Sequence, residues 1–145
     1  MATTKADNIT QNLFNNPYGN KSVAVAKIAS FTTLAAADTI DLMNMPAGAQ
    51  IVSGFCVVAT AITTATLAIG VRYADGTSTG GTTGTAVLSG TGVALTTALA
   101  PQLLNFVPFT NDKDTIVYAT APNIASPDAS IQFACSIEYE ATGTP

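Results

Sequence analysis

Two glutamates near the end of the chain, Glu138 and Glu140, have the type and spacing that best suit acid–base chemistry. In an extended strand, residues two positions apart point to the same face, so the two carboxylates share one surface. A carboxylate pair can hydrolyse glycosides, but such a site also needs groups that bind and position the sugar. The sequence shows no such partners, and we interpret the pair as a solvated strand face.

A second group of oxygen ligands, Asn111, Asp112 and Asp114, raises the question of a calcium site. The segment lacks the glycine, the further spaced carboxylate and the terminal glutamate of a calcium-binding loop. Asn and Asp are ordinary turn residues, so a capped turn is expected here. The chain also contains no histidine, the commonest acid–base catalyst and metal ligand. We therefore expect no metal, no cofactor and no enzymatic activity.

The serine and glycine motifs do not change this expectation. Ser53 and Ser89 each precede a glycine, but neither lies in a Gly-x-Ser-x-Gly elbow, and a hydrolase triad would lack its histidine. The glycine-rich stretches at 80–81 and 90–92 lack the lysine of a phosphate loop and the third glycine of a dinucleotide loop.

The two cysteines, Cys56 and Cys135, lie far apart in the sequence, each in an apolar run. A pair so far apart could form one disulfide, but a disulfide-stapled scaffold would carry more cysteines than this. Free cysteine is among the most buried residue types. We therefore predict two buried, reduced thiols that are not bonded to each other.

Composition limits the class of protein. The chain has 145 residues, which suits one domain, and 48% of them are hydrophobic, enough to form a core. Charged residues make up 10%, compared with about a quarter in typical globular domains. The net charge is −4 and the five basic residues are scattered, so neither nucleic acid nor an anionic membrane is an expected partner. Low charge suits a protein that packs against neighbours.

The first 21 residues differ from the rest of the chain. They are polar, without the apolar core of a signal peptide, and we expect synthesis in the cytoplasm without export. Asn15-Asn16-Pro17-Tyr18-Gly19-Asn20 favours turns. Leu13, Phe14 and Tyr18 are large apolar groups within or directly before this stretch. The pattern predicts an extended arm over 1–21 that docks through these three residues, the alternative being a frayed tail.

Residues 22–145 predict a single all-β sandwich, jelly-roll-like, of about eight strands. Apolar residues alternate with period two, and turn signals such as Pro46-Ala47-Gly48 and Asp75-Gly76 separate the strands. Pro101 and Pro108 bracket the segment from Gln102 to Val107, and Phe106 and Phe109, in or beside this segment, are further candidate contacts with a partner chain. The residues expected to be mostly buried are Ile51, Val57, Leu67, Ile69, Val71, Ile131, Phe133 and Ile137.

One segment is similar to a known class of proteins. Ala37-Asp-Thr-Ile-Asp-Leu42, then Met45-Pro-Ala-Gly-Ala49 and Ile51-Val52, resembles small structural proteins of tailed bacteriophages, above all capsid decoration (cement) proteins. In these proteins an Ala-Asp-x-Ile-x-Leu strand leads into a Leu-Pro-Ala-Gly-Ala turn, and Met45 here replaces the usual leucine. A strand like Leu67-Ala-Ile-Gly-Val-Arg-Tyr-Ala-Asp-Gly76 commonly follows. The match covers roughly residues 30–76.

The resemblance implies a function rather than a chemistry. It implies a β-sandwich that binds the major capsid protein on the outside of an assembled shell, often as a trimer, and is made in the host cytoplasm. Two alternatives remain open. One is a tail or head-fibre component that binds a host-surface carbohydrate or another virion protein, for which Tyr73 and Tyr118 are the only aromatic candidates. The other is a lytic enzyme, against which the missing histidine argues.

Overall fold

The computed structural model describes residues 3–5, 21–28, 38–59, 66–77, 88, 93–94, 98–120 and 132–141. Within these ranges the chain forms ten strands and no helix. No helix in this part of the chain is therefore long and apolar enough to cross a membrane. The strands are β1 (Thr3–Lys5), β2 (Lys21–Ile28), β3 (Thr39–Met45), β4 (Ala49–Val58), β5 (Thr66–Tyr73), β6 (Val93–Ala94), β7 (Gln102–Leu103), β8 (Phe109–Thr110), β9 (Thr115–Thr120) and β10 (Phe133–Ala141).

The strands form two sheets. Sheet A has the order β1-β3-β9-β5-β6; sheet B has the order β2-β10-β4-β7, with β8 also paired to β4. Every pairing is antiparallel except that of β1 with β3. The all-β sandwich predicted from the sequence is confirmed. The strand number exceeds the expected eight because four of the ten strands have only two or three residues.

Among the described residues, the buried apolar side chains form one core between the two sheets. In β5 the alternation of Leu67, Ile69 and Val71 places all three inside, with at most 1% exposed. In β10, Phe133, Cys135, Ile137 and Tyr139 are buried in the same way, as period-two alternation predicts. Of the eight residues predicted to be buried, six are in this core, and Ile131 lies outside the described residues.

Val57 is the exception, because it is only half-buried. The register between β4 and β10 shifts at Glu138/Tyr139: Tyr139 pairs with Ile51 but Glu138 pairs with Ser53, which leaves Val52 as an extra residue. An extra residue in one strand reverses which positions face the core from there on. Ile51 is therefore inside, whereas Val57, six positions further along, is turned to the outer face.

The predicted turns are present. Gly48 has φ 78° in the turn between β3 and β4, closed by the Ala49 amide donating to the Pro46 carbonyl at 3.2 Å. Gly76 has φ 81° in the turn after β5, where its amide donates to the Tyr73 carbonyl at 3.1 Å. Both glycines occupy the left-handed region that a side chain disfavours.

Part of the predicted N-terminal arm is a strand. Thr3–Lys5 pairs with β3 at the edge of sheet A, with Thr3 opposite Thr39. Leu13, Phe14 and Tyr18, the predicted anchors of the arm, lie outside the described residues. Their docking role therefore stays a prediction.

Candidate functional site: an apolar surface on sheet B

The exposed large hydrophobic side chains among the described residues are all on one side of the sandwich. Each belongs to sheet B or to the segment 98–110 beside it; sheet A carries none of them. An apolar patch of this kind marks an interaction surface more often than scattered single residues do. We call these six residues the apolar surface: Val23, Val25, Phe55, Leu99, Leu103 and Val107.

Strand pairing aligns part of the apolar surface in one row across sheet B. Val25 on β2 lies opposite Ser136 on β10, Ser136 lies opposite Phe55 on β4, and Phe55 lies opposite Leu103 on β7. Ser136 is 7% exposed although it is on the outer face, because the larger side chains on either side cover it. The row therefore presents three apolar side chains on four neighbouring strands, with a small serine between Val25 and Phe55.

The segment 98–110 forms the edge of sheet B. It runs along β4 from the Leu99 amide, which donates to the Val58 carbonyl at 2.7 Å, to Thr110, which pairs with Gln50. Proline at positions 101 and 108 interrupts the edge strand, which prevents continuous pairing with another sheet. Leu103 and Val107 are 82% and 84% exposed, so this edge offers side chains to a partner rather than a free row of backbone groups.

Leu99 is exposed and also strained. Its φ of 57° is the one positive value at a non-glycine position among the described residues, and its side chain is 72% exposed. A leucine in the left-handed region costs about 1–2 kcal/mol. Strain of this kind persists where the surrounding structure fixes the backbone, and here it holds an apolar side chain in solvent beside the end of β4.

The predicted contacts Phe106 and Phe109 lie on the same segment but are half-buried. Their rings meet edge to face with centroids 6.2 Å apart, and both pack against the core. The more exposed groups are their aliphatic neighbours, which sequence reasoning missed because it looked for aromatic anchors. A role for the two phenylalanines in partner contacts stays a prediction.

The outer face of sheet A has a different character. Arg72 on β5 donates to Asp41 on β3 at 2.5 Å, and its guanidinium lies 5.3 Å from the centroid of the Tyr118 ring on β9. Asp41 is nearly buried, and burial raises the pKa of Tyr118 while the nearby arginine opposes that shift. The cross-strand group pairs the polar atoms on this face, and none of the described residues of sheet A exposes a large apolar side chain there.

In the polar loops at one end of the sandwich, aspartate carboxylates accept hydrogen bonds from nearby residues. Asp114 Oδ1 accepts the Ala47 amide at 2.9 Å, and Asp112 Oδ1 accepts the Tyr73 hydroxyl at 2.6 Å, which raises the pKa of that tyrosine. Hydrogen bonds from Thr77 lower the pKa of Asp75. The Asp114 carboxylate thus caps the turn between β3 and β4, whereas Asp112 binds a tyrosine side chain. No metal-ligating cluster occurs in the part of the chain that is described.

Tyr73 and Tyr118 do not make a shared aromatic platform. Tyr118 is 8% exposed beneath Arg72, whereas Tyr73 pairs with Thr115 at the opposite end of β9 and has Lys113 5.0 Å from its ring centroid. A carbohydrate module needs an open aromatic face on which a sugar can stack. These two rings do not provide one.

Glu138 and Glu140 share the outer face of β10, as predicted. The Ser53 hydroxyl donates to Glu138 Oε2 at 2.6 Å, and Glu140 lies opposite Lys21 on β2 and Gln50 on β4. The pair thus lies among strand residues on a sheet surface.

We expect the double variant Glu138→Gln, Glu140→Gln to keep its fold and its function, because glutamine can still accept the Ser53 hydroxyl. Thermal unfolding should stay within a few degrees of the wild type, whereas Glu138→Ala, which removes the acceptor, should cost about 1 kcal/mol. Loss of a hydrolytic activity in the glutamine variant would contradict the structural interpretation.

Cys56 and Cys135 are both buried and free, as expected. The sequence left open whether they meet. In the structure they face each other across β4 and β10, with the two Sγ atoms 2.9 Å apart.

Comparison with known proteins shows in which kind of particle this fold occurs. The chain matches no protein-family model and no curated protein sequence. Its structure is similar to chains in three solved phage capsids, so the all-β sandwich described above is a fold found in such particles. The resemblance inferred from the segment 37–52 is confirmed at this level.

The individual likenesses extend over nearly the whole chain. A chain in the capsid of Ralstonia phage GP4 has a TM-score of 0.71 and 20% identity, covering 99% of this chain and 100% of that one. A chain in the capsid asymmetric unit of cyanophage Pam1 has a TM-score of 0.57 and 20% identity, and the match covers 93% of this chain and 95% of that one. A chain in the acidic stable capsid of Helicobacter pylori bacteriophage KHP30 has a TM-score of 0.58 and 17% identity, and the match covers 88% of this chain and 92% of that one.

Proposed function

We propose that this chain is a structural protein of a phage virion that binds the outside of an assembled capsid and stabilises it, as a decoration or cement protein. The observation that carries the proposal is the one-sided apolar surface, on a fold shared with chains in phage capsids. A structural role without catalysis agrees with the described polar residues, whose carboxylates are engaged in turns and strand contacts.

The partner that fits the apolar surface is the major capsid protein of the shell. The outer face of sheet B carries two carboxylates, Glu138 and Glu140, and two exposed lysines, Lys21 and Lys27, so its formal charges sum to zero. A partner surface should therefore be apolar and neutral rather than basic or acidic. A protein that binds the assembled shell, but not its separate subunits, shifts the assembly equilibrium toward the shell.

The remaining parts of the proposal concern assembly. We divide the chain into an arm over 1–21 and a sandwich over 22–145, and favour a homotrimer in which the arm contacts both sibling subunits and the capsid. Synthesis in the host cytoplasm and a place on the capsid surface follow from this role. Neither nucleic acid nor a membrane is part of it.

Copy number per particle tests the proposed function. Purified protein added to particles that lack it should bind in hundreds of copies at regular positions on the outer shell, visible by cryo-electron microscopy, and should raise the temperature at which the shell opens. A few copies confined to the tail or to head fibres would instead support the alternative of a tail or fibre component.

Deleting residues 1–20 should leave the sandwich folded but weaken attachment to the capsid and to sibling subunits by at least about tenfold. Leu13, Phe14 and Tyr18 are large apolar groups, and burying each one contributes roughly 1.5–3 kcal/mol. Among the described residues, the truncated sandwich loses the short pairing of β1 with β3. The measurements are a thermal melt and the occupancy of the truncated protein on particles; full occupancy with unchanged particle stability would contradict the role of the arm.

A further inference from the structure

The thiols of Cys56 and Cys135 form the closest pair of reactive groups in the described core. They lie directly opposite each other in the antiparallel pairing of β4 with β10, and both side chains point inward. The Cys56 Sγ donates to the Cys135 Sγ at 2.9 Å, and neither residue has exposed surface. Nothing in the proposed virion role uses this pair.

The register places these cysteines within the geometric range of a disulfide. Directly opposite residues in an antiparallel pair have Cα atoms roughly 4.5 or 5.5 Å apart, depending on the hydrogen-bonding pattern. Cα separations in disulfides run from about 4.4 to 6.8 Å. The Sγ atoms must approach by less than 1 Å to reach the bond length of about 2.05 Å, which small changes in side-chain torsion supply.

We propose that Cys56 and Cys135 are an oxidative cross-linking site, at which a peroxide joins the two Sγ atoms into a disulfide between β4 and β10. One thiolate attacks a peroxide oxygen, the O–O bond breaks, and the sulfur becomes a sulfenic acid as water leaves. The second thiol attacks that sulfur, the S–O bond breaks, and a second water leaves. Two electrons pass from the sulfurs to hydrogen peroxide, and both thiol protons end in water.

The position in the fold makes this reaction slow and its product durable. Burial raises the pKa of the Cys56 thiol strongly, and its hydrogen bond to Cys135 adds to the shift, so the reactive thiolate is scarce. β10 has β2 on one side and β4 on the other, so the pair meets an oxidant only when central strands open. The same burial then shields the disulfide from reductants.

The cross-link would constrain a large part of the chain. It joins positions 79 residues apart and ties the central strand of sheet B to the strand that carries Phe55. A bond that closes so long a loop restricts the unfolded chain more than the folded one. Oxidised protein should therefore melt roughly 5–15 °C above reduced protein.

The test uses the full-length chain, in which these are the only two cysteines. Reduced protein is treated with hydrogen peroxide in native buffer and in urea just below the unfolding transition, then analysed by intact mass, non-reducing electrophoresis and peptide mapping. We expect the mass to fall by about 2 Da, faster in urea, with a linked 56–135 peptide and a monomeric chain. Cys56→Ala and Cys135→Ala should never show this loss.

Two results would overturn the proposal. One is oxidation that adds oxygen to each sulfur, or joins separate chains, without the linked 56–135 peptide. The other is an unchanged mass in the urea sample, where the opened strands admit the oxidant. Both are read from the wild-type chain, so the conclusion does not depend on whether the alanine variants fold.

Discussion

Replacing Gly54 with alanine should destabilise the sandwich by about 2–4 kcal/mol, which for a domain of this size lowers the melting temperature by roughly 5–15 °C. A Cβ at this position would lie 2.7 Å from the Ser136 carbonyl oxygen, 2.8 Å from Ile137 Cδ1 and 2.9 Å from Leu104 Cδ1. The first contact is with the backbone of the central strand β10, which cannot move without disturbing its pairing on both sides. Chemical and thermal unfolding followed by circular dichroism measure the effect.

Gly76→Ala is the matched control, because Gly76 has nothing within 4 Å of the Cβ position. It should cost only the strain of its positive φ, about 1 kcal/mol. Ile137→Val removes the Cδ1 atom and should recover part of the Gly54→Ala loss, a non-additive effect expected of residues in contact. Equal losses at the two glycines, or strict additivity with Ile137→Val, would show that crowding at Gly54 does not limit stability.

The sequence predicted the strands well because period-two alternation is a local signal. The buried set Leu67, Ile69 and Val71 follows from one run of eight residues, and both positive-φ glycines lie in turns that the sequence marked. The resemblance over 30–76 pointed to the class of fold. None of these inferences depends on which strands are neighbours in the sheets.

The errors arose where neighbouring strands matter. Val57 was predicted to be buried because it has the same parity as Ile51, but the bulge at Val52 reverses the faces between them. A bulge depends on the partner strand β10, more than 70 residues away, and leaves no local mark in an apolar run. The meeting of Cys56 with Cys135 depends on the same long-range register.

The candidate site was predictable only as a region. The bracket of two prolines drew attention to 101–109, where sheet B does have its edge. Phe106 and Phe109 were the predicted partner contacts because they are large and aromatic. Both rings pack toward the core, however, while Leu103 and Val107 face solvent. Which apolar residue of a short segment faces outward depends on how that segment lies along β4, and alternation cannot supply this for strands of two residues.

The double variant Leu103→Glu, Val107→Glu should lose attachment to the capsid, by at least a factor of about 100, while the free protein stays folded. Both side chains are more than 80% exposed, so replacing them removes little from the core. In a complex, each carboxylate would be buried against an apolar partner without a counter-charge, and a buried unpaired charge costs several kcal/mol. A hundredfold loss corresponds to about 2.7 kcal/mol, which is within that range.

Lys113→Glu is the control that matches the charge. The double variant and this single substitution each make the net charge of −4 more negative by two. Lys113 is exposed in the polar loops, and its 3.3 Å contact with Asp75 is a surface ion pair of small energetic value.

If general repulsion from the shell governs binding, both proteins should bind weakly. If the apolar surface is the contact, only the double variant should fail to sediment with particles, while its melting curve overlays that of the wild type. Wild-type occupancy by the double variant would exclude the edge of sheet B from the interface and leave the arm as the attachment to be tested.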